Sequence, residues 1–183
     1  MSDKKTYQLN IRLDHENFTL LNQISKDVRQ SPSTVGSQII SQWIEFYYYK
    51  IYRGDIIVSQ PILRKFFDIV DDKSNSIEAV AGFAADYIIK EIKIQKGQIT
   101  YPVLVDHILK WNKGNHLLLN RIEQEGVSDV FISRHNLGRN WSALQCQTYT
   151  KAFEIIGQTV ISAEYDQEDT FTFEVVQRKN NNQ

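Results

Sequence analysis

Near the start of the chain, Gln8, Asn10 and Arg12 alternate with Tyr7, Leu9, Ile11 and Leu13. A period of two places the three polar side chains on one face of a β-strand and the four apolar ones on the other. The carboxamides of Gln8 and Asn10 can each pair bidentately with adenine, and the guanidinium of Arg12 with guanine. Lys4 and Lys5 stand just before this segment, and Ser31, Ser33 and Thr34 cluster at a predicted helix start. Cations, hydroxyls and helix N–H groups are what holds a phosphate. Together these residues predict base contacts from Gln8, Asn10 and Arg12, and phosphate contacts from Lys4, Lys5, Ser31, Ser33 and Thr34.

Other chemistry is thinly represented. No Walker loop, Gly-rich dinucleotide loop, HExxH or GxSxG occurs, so no catalytic residue is assigned and the chain is not expected to be an enzyme. His107, His116, His135 and Cys146 are separated by eight, eighteen and ten residues. That spacing contains no close ligand pair, so neither a metal site nor a cofactor is predicted. Asp71-Asp72 and Asp166–Asp169 read as solvated turns. The segment His135-Asn136-Leu137-Gly138-Arg139-Asn140-Trp141-Ser142 joins a predicted strand to a predicted helix. It offers His135 and Arg139 to a small-molecule effector. Its plainer reading is a tight connection, with Gly138 in the backbone turn, Ser142 as cap and Trp141 packed inside.

The elements that must position these groups follow from periodicity. Asp14 is placed to cap a helix running to about Arg29, with Phe18, Leu21, Ile24 and Val28 on one face. Ser31-Pro32 opens a second helix whose stripe of Val35, Ile39, Ile40, Trp43, Ile44 and Tyr47 continues to about Tyr52, with Gly54 as the stop. The aromatic strip from Trp43 to Tyr52 is expected to close a core and not to stack on bases. One strand and two one-sided helices cannot bury a good core alone. Two chains can, by pairing their strands and packing their helices, so residues 1–53 predict a homodimer or higher homo-oligomer.

Residues 6–47 resemble the ribbon-helix-helix DNA-binding repressors, of the Arc and MetJ type. The resemblance rests on the Gln-x-Asn-x-Arg alternation of Gln8, Asn10 and Arg12 and on its spacing to the Ser31–Thr34 helix start. Gly36 departs from the pattern, standing where the family packs an aliphatic side chain. The resemblance implies a dimer whose intermolecular ribbon enters the major groove of double-stranded DNA and regulates transcription. Two other readings remain: an antitoxin, or a ligand sensor or small enzyme that uses the N-terminal unit only to dimerise.

A second unit, residues 55–178, reads as an α+β domain with antiparallel β-hairpins, regulatory or oligomerising in role. Pro61 opens one helix, Ser76 to about Lys93 forms another and Tyr101–Trp111 a third. Strands at His116–Glu123 and Ser128–His135 flank one turn, and Thr159–Tyr165 and Thr170–Gln177 flank another. Between the two hairpins, Asn140 or Ser142 caps a helix ended by Gly157. Residues 179–183 read as a disordered tail. The fold class is therefore α+β throughout.

The totals agree with this division. Residues 1–53 hold seven Lys/Arg and five Asp/Glu, and the rest fourteen and seventeen, so +2 and -3 sum to the net -1. A dimer would double the +2, the sign that DNA requires. No apolar run reaches ~20 residues, no secretory leader is evident and one cysteine forms no internal disulfide, so a cytoplasmic location without a membrane partner is expected.

Overall fold

The computed structural model describes residues 7–48, 58–69, 76–124, 127–165 and 168–176, apart from the side chain of Phe46. The chain forms two compact units, Met1–Asp55 and Ile56–Gln183. It is, among the described residues, a mixed α+β protein with six α-helices and one four-stranded antiparallel sheet. Among the described residues, no helix is long and apolar enough to cross a membrane.

The first unit holds helices α1 (His15–Asp27) and α2 (Pro32–Gln42). Asp14 caps α1 by accepting the Asn17 N–H at 2.8 Å, and Ser31 caps α2 by accepting the Thr34 N–H at 3.1 Å. Pro32 occupies the first turn of α2, where its missing N–H costs nothing. Helix α1 ends earlier than its apolar stripe suggests. Arg29 turns left-handed at φ 55, and Gln30 N–H reaches back to the Ser25 carbonyl at 2.9 Å, which closes the last turn. Beyond α2 the backbone widens into a π-turn at Trp43–Tyr47, with the Trp43 and Tyr47 rings stacked 6.2 Å apart. The expected run to Tyr52 and the stop at Gly54 lie outside the described residues.

The strand expected at Tyr7–Leu13 is not formed within the single chain. Residues 7–14 carry no regular structure and are all exposed. The physical reason is that a strand exists only through a partner's hydrogen bonds, and the described part of this unit contains no second extended segment.

The second unit contains α3 (Gln60–Ile69), α4 (Ser76–Lys96) and α5 (Tyr101–Gly114), then β1 (Leu118–Gln124) and β2 (Ser128–Arg134). Helix α6 (Arg139–Ile155) separates these from β3 (Thr159–Glu164) and β4 (Thr170–Val176). Each sequential strand pair is antiparallel, and β2 also pairs with β4, giving the order β1-β2-β4-β3. The central strands explain why: Phe131, Phe171, Phe173 and Val175 are buried at alternate positions, while β1 and β3 are mostly exposed. Phe131 and Phe173 face each other in register, their rings stacked 4.7 Å apart. Helix α6 fills the core with Cys146, Tyr149, Ala152 and Phe153 and packs on α4 through Ala85, Ile89 and Ile92. A smaller cluster of Phe67, Leu117, Leu137 and Trp141 ties α3 to the start of α6.

The α6 boundaries correct one expectation. Neither Asn140 nor Ser142 caps it: Gly138 is the N-cap, at φ 84 and ψ 171, and makes no side-chain bond. A glycine suits that conformation, which a side chain disfavours. Asn140 instead donates to the Phe67 carbonyl at 2.9 Å, and Ser142 is buried inside the helix. At the other end Gly157, at φ 79, closes the helix as its sequence position suggests.

Candidate nucleic-acid interface

Gln8, Asn10 and Arg12 are exposed, and so are Tyr7, Leu9, Ile11 and Leu13 opposite them. The apolar four range from 87% exposed at Tyr7 to 47% at Leu13, so among the described residues this side packs on little. Across the described part of the unit, Val35 is the one buried apolar side chain, against eleven large exposed ones. A pair of helices with that balance cannot offset the entropy of ordering itself.

The start of α2 has fewer unengaged hydroxyls than its sequence suggests. Ser31 Oγ is occupied by the Thr34 N–H and lies 2.8 Å from Thr34 Oγ1. Ser31, Ser33 and Thr34 are all exposed, so Ser33 and the Thr34 hydroxyl are the groups best placed for a phosphate. Lys4 and Lys5 lie outside the described residues. Comparison of the chain with protein families, curated proteins and solved structures returns no match.

In the second unit, His135 and Arg139 are separated by burial. The His135 ring is enclosed: Nδ1 accepts the Leu137 N–H at 3.2 Å, and Nε2 lies 3.0 Å from Ser142 Oγ. Since Nδ1 is an acceptor, the proton sits on Nε2 and is donated to Ser142. A general base needs the reverse arrangement, so Ser142 is not an activated nucleophile. Burial, opposed by Asp169 and aided by Arg64, lowers the His135 pKa to about 4. The ring is therefore neutral, and its 3.9 Å approach to Asp169 is not an ion pair. Arg139 instead lines an open cavity of about 480 Å³ with Phe67, Asp68, Leu137, Gly138, Asn140 and Glu168. The structure thus gives a small effector access to Arg139 and withholds His135.

Glu168 and Asp169 lie in a bend where Glu168 is 72% exposed, as expected of a solvated turn, and they also meet a cation distant in sequence. Arg64 donates to Glu168 at 2.7 Å and lies 3.5 Å from Asp169, while Asp169 accepts the Gly138 N–H at 3.1 Å. A second cluster was not foreseen. Asp129 is fully buried, accepts a short hydrogen bond from the Tyr101 hydroxyl and pairs with Arg121 at 2.8 Å. Burial alone would lower the Arg121 pKa, but the hydrogen bond and charge of Asp129, with Glu123 beside it, raise it. The available signal was register: Asp129 shares the core-facing parity of Phe131 and Ser133. Cys146 is enclosed, and burial pushes its thiol up to about 12, so it is unreactive.

Proposed function

We propose that the chain is a dimeric, sequence-specific DNA-binding regulator of the ribbon-helix-helix kind, a repressor by its resemblance. Two copies pair their Tyr7–Leu13 segments as an antiparallel ribbon over their packed helices. The observation that supports this reading is the alternating segment whose apolar Leu9, Ile11 and Leu13 are exposed, at 70%, 53% and 47%. Each half-exposed apolar side chain that such a dimer covers would contribute roughly 1 kcal/mol. Pairing turns Gln8, Asn10 and Arg12 outward together, as a two-stranded ribbon able to enter the ~12 Å major groove. The exposed α2 starts then flank the ribbon as phosphate anchors.

The test is selection of bound sequences from random double-stranded DNA by the full chain, followed by titration at several salt concentrations. The expected result is a roughly palindromic site, bound with an affinity that falls steeply as salt rises. A dimer that enriches no sequence would leave the N-terminal unit as a dimerisation module alone.

A further inference from the structure

Helix α4 is apolar on two opposite faces, and the domain's own core uses one of them. Ile77, Ala81, Ala85, Ile89 and Ile92 are buried. Val80, Phe83, Tyr87 and Ile94 are exposed, at 51%, 72%, 44% and 77%. Their spacing of three, four and seven residues is the a and d pattern of a coiled-coil seam, with Lys90 at the remaining d position. At 100° per residue the four fall within about 60° of one another and about 150° from the buried face. The Phe83 and Tyr87 rings stack 6.4 Å apart along this line, an apolar ridge in solvent that Lys90 interrupts before Ile94.

We propose that this ridge pairs with the α4 ridge of a second copy of the chain, the two helices running antiparallel. The charges beside the ridge select both the occupant and its direction. With Val80, Tyr87 and Ile94 at a, the charged g positions are Asp86 and Lys93, both exposed, whereas the e positions hold Ala84 and Glu91, the latter buried against the domain. Antiparallel helices bring g against g, so Asp86 of each copy meets Lys93 of the other, twice by symmetry. A parallel pair brings g against e, where Ala84 and the buried Glu91 offer Asp86 and Lys93 no opposite charge. The ridge is thus self-complementary in the antiparallel orientation and gains no charge pair in the parallel one. Helix dipoles favour the same antiparallel choice. The remaining acid in the first half, Glu78, is drawn toward α6 by Lys151 at 3.3 Å and leaves the seam to this pairing.

The seam spans only two heptads, so its affinity alone is modest. An independent N-terminal interface would raise it through effective concentration and would join dimers into a tetramer. The seam itself does not depend on the N-terminal reading.

The experiment is sedimentation velocity on the full chain at 1–100 µM in a Leu9→Asp background, which removes N-terminal pairing. Circular dichroism of each variant checks the fold. The expected result is a concentration-dependent dimer that Phe83→Glu, at an exposed position, converts to monomer with unchanged helicity. Asp86→Lys should weaken the dimer at least tenfold, and adding Lys93→Asp should restore it. Strengthening by Asp86→Lys would overturn the proposal. So would a folded Leu9→Asp chain that stays monomeric at 100 µM, or dimerisation unaffected by Phe83→Glu. Failure of DNA binding in the wild-type chain would bear on the N-terminal reading and leave this one standing.

Discussion

Arg12 is the side chain on which base reading turns. It is exposed, and its removal should leave the fold intact. We expect Arg12→Ala to lose about 1–3 kcal/mol at a selected site, relative to random DNA. The check is the ratio of specific to non-specific affinity at fixed salt, together with an unchanged melting temperature. The buried polar residues make different predictions. Asp129 is wholly buried, whereas the Arg121 side chain is 25% exposed, so the two partners of this ion pair are not equivalent. Arg121→Met strands a buried carboxylate and should cost about 3 kcal/mol, whereas Asp129→Asn lets Arg121 turn to water and Glu123 and should cost less. Urea melts of both variants test that order. His135 has a folded pKa of about 4, below its ordinary value of 6.5. Above pH 6.5 both states are neutral and its stability is fully present. As pH falls from 6.5 to 4 the unfolded chain takes up the proton first, so stability declines. The loss between pH 7 and 5 should be about 2 kcal/mol, and it should be absent from His135→Gln when the two are compared by urea melts.

At the scale of the element, the two ends of each helix obey different rules. Gly157 ends α6 in a left-handed conformation at φ 79, so Gly157→Ala should destabilise the second unit by about 1 kcal/mol or more. Gly36 lies inside α2, and a Cβ there would meet nothing within 4 Å in the single chain. Gly36→Ala should therefore raise the melting temperature of the N-terminal unit, with up to ~1 kcal/mol from helix propensity. A lowered melting temperature would show that another backbone approaches α2 closely in the dimer. The strand at Tyr7–Leu13 is the opposite kind of element, for no local signal can complete it. Its hydrogen bonds must come from elsewhere.

For the whole molecule the contrast lies between a unit with a large core and one whose described residues bury a single apolar side chain. Residues 56–183 bury a cluster of fourteen apolar residues that packs the sheet against α4, α5 and α6. The described part of residues 1–55 buries one apolar side chain, Val35. If the unit folds only as the proposed dimer, it should melt at a temperature that rises with protein concentration. Leu9→Asp places a charge where the dimer core would form, so it should abolish that transition and DNA binding together. The second unit should keep its near-ultraviolet dichroism in the same variant. Loss of both transitions would show that the two units do not fold separately.

Local chemistry alone determined much of this protein. Asp14 and Ser31 cap their helices because a side-chain oxygen three residues before an N–H is a local geometry. Gly157 ends α6 because only a glycine enters the left-handed region cheaply. The antiparallel hairpins of β1–β2 and β3–β4 could be read for the same reason, since each pairs neighbours along the chain. What the tertiary structure decided involves distance along the chain. The β2–β4 pairing, the Arg64–Glu168 contact and the burial of Asp129 beside Tyr101 and Arg121 depend on which segments the core brings together. Periodicity reports only which face of an element is apolar. It could not tell that Ser142 would be enclosed against His135 while Gly138 took the cap, because the choice rests on packing around Trp141 and Phe67. Nor could it show that α4 has one apolar face more than its own core can use. That excess appears only once Ala81, Ala85 and Ile92 are seen to be buried while Phe83 and Ile94 remain in water.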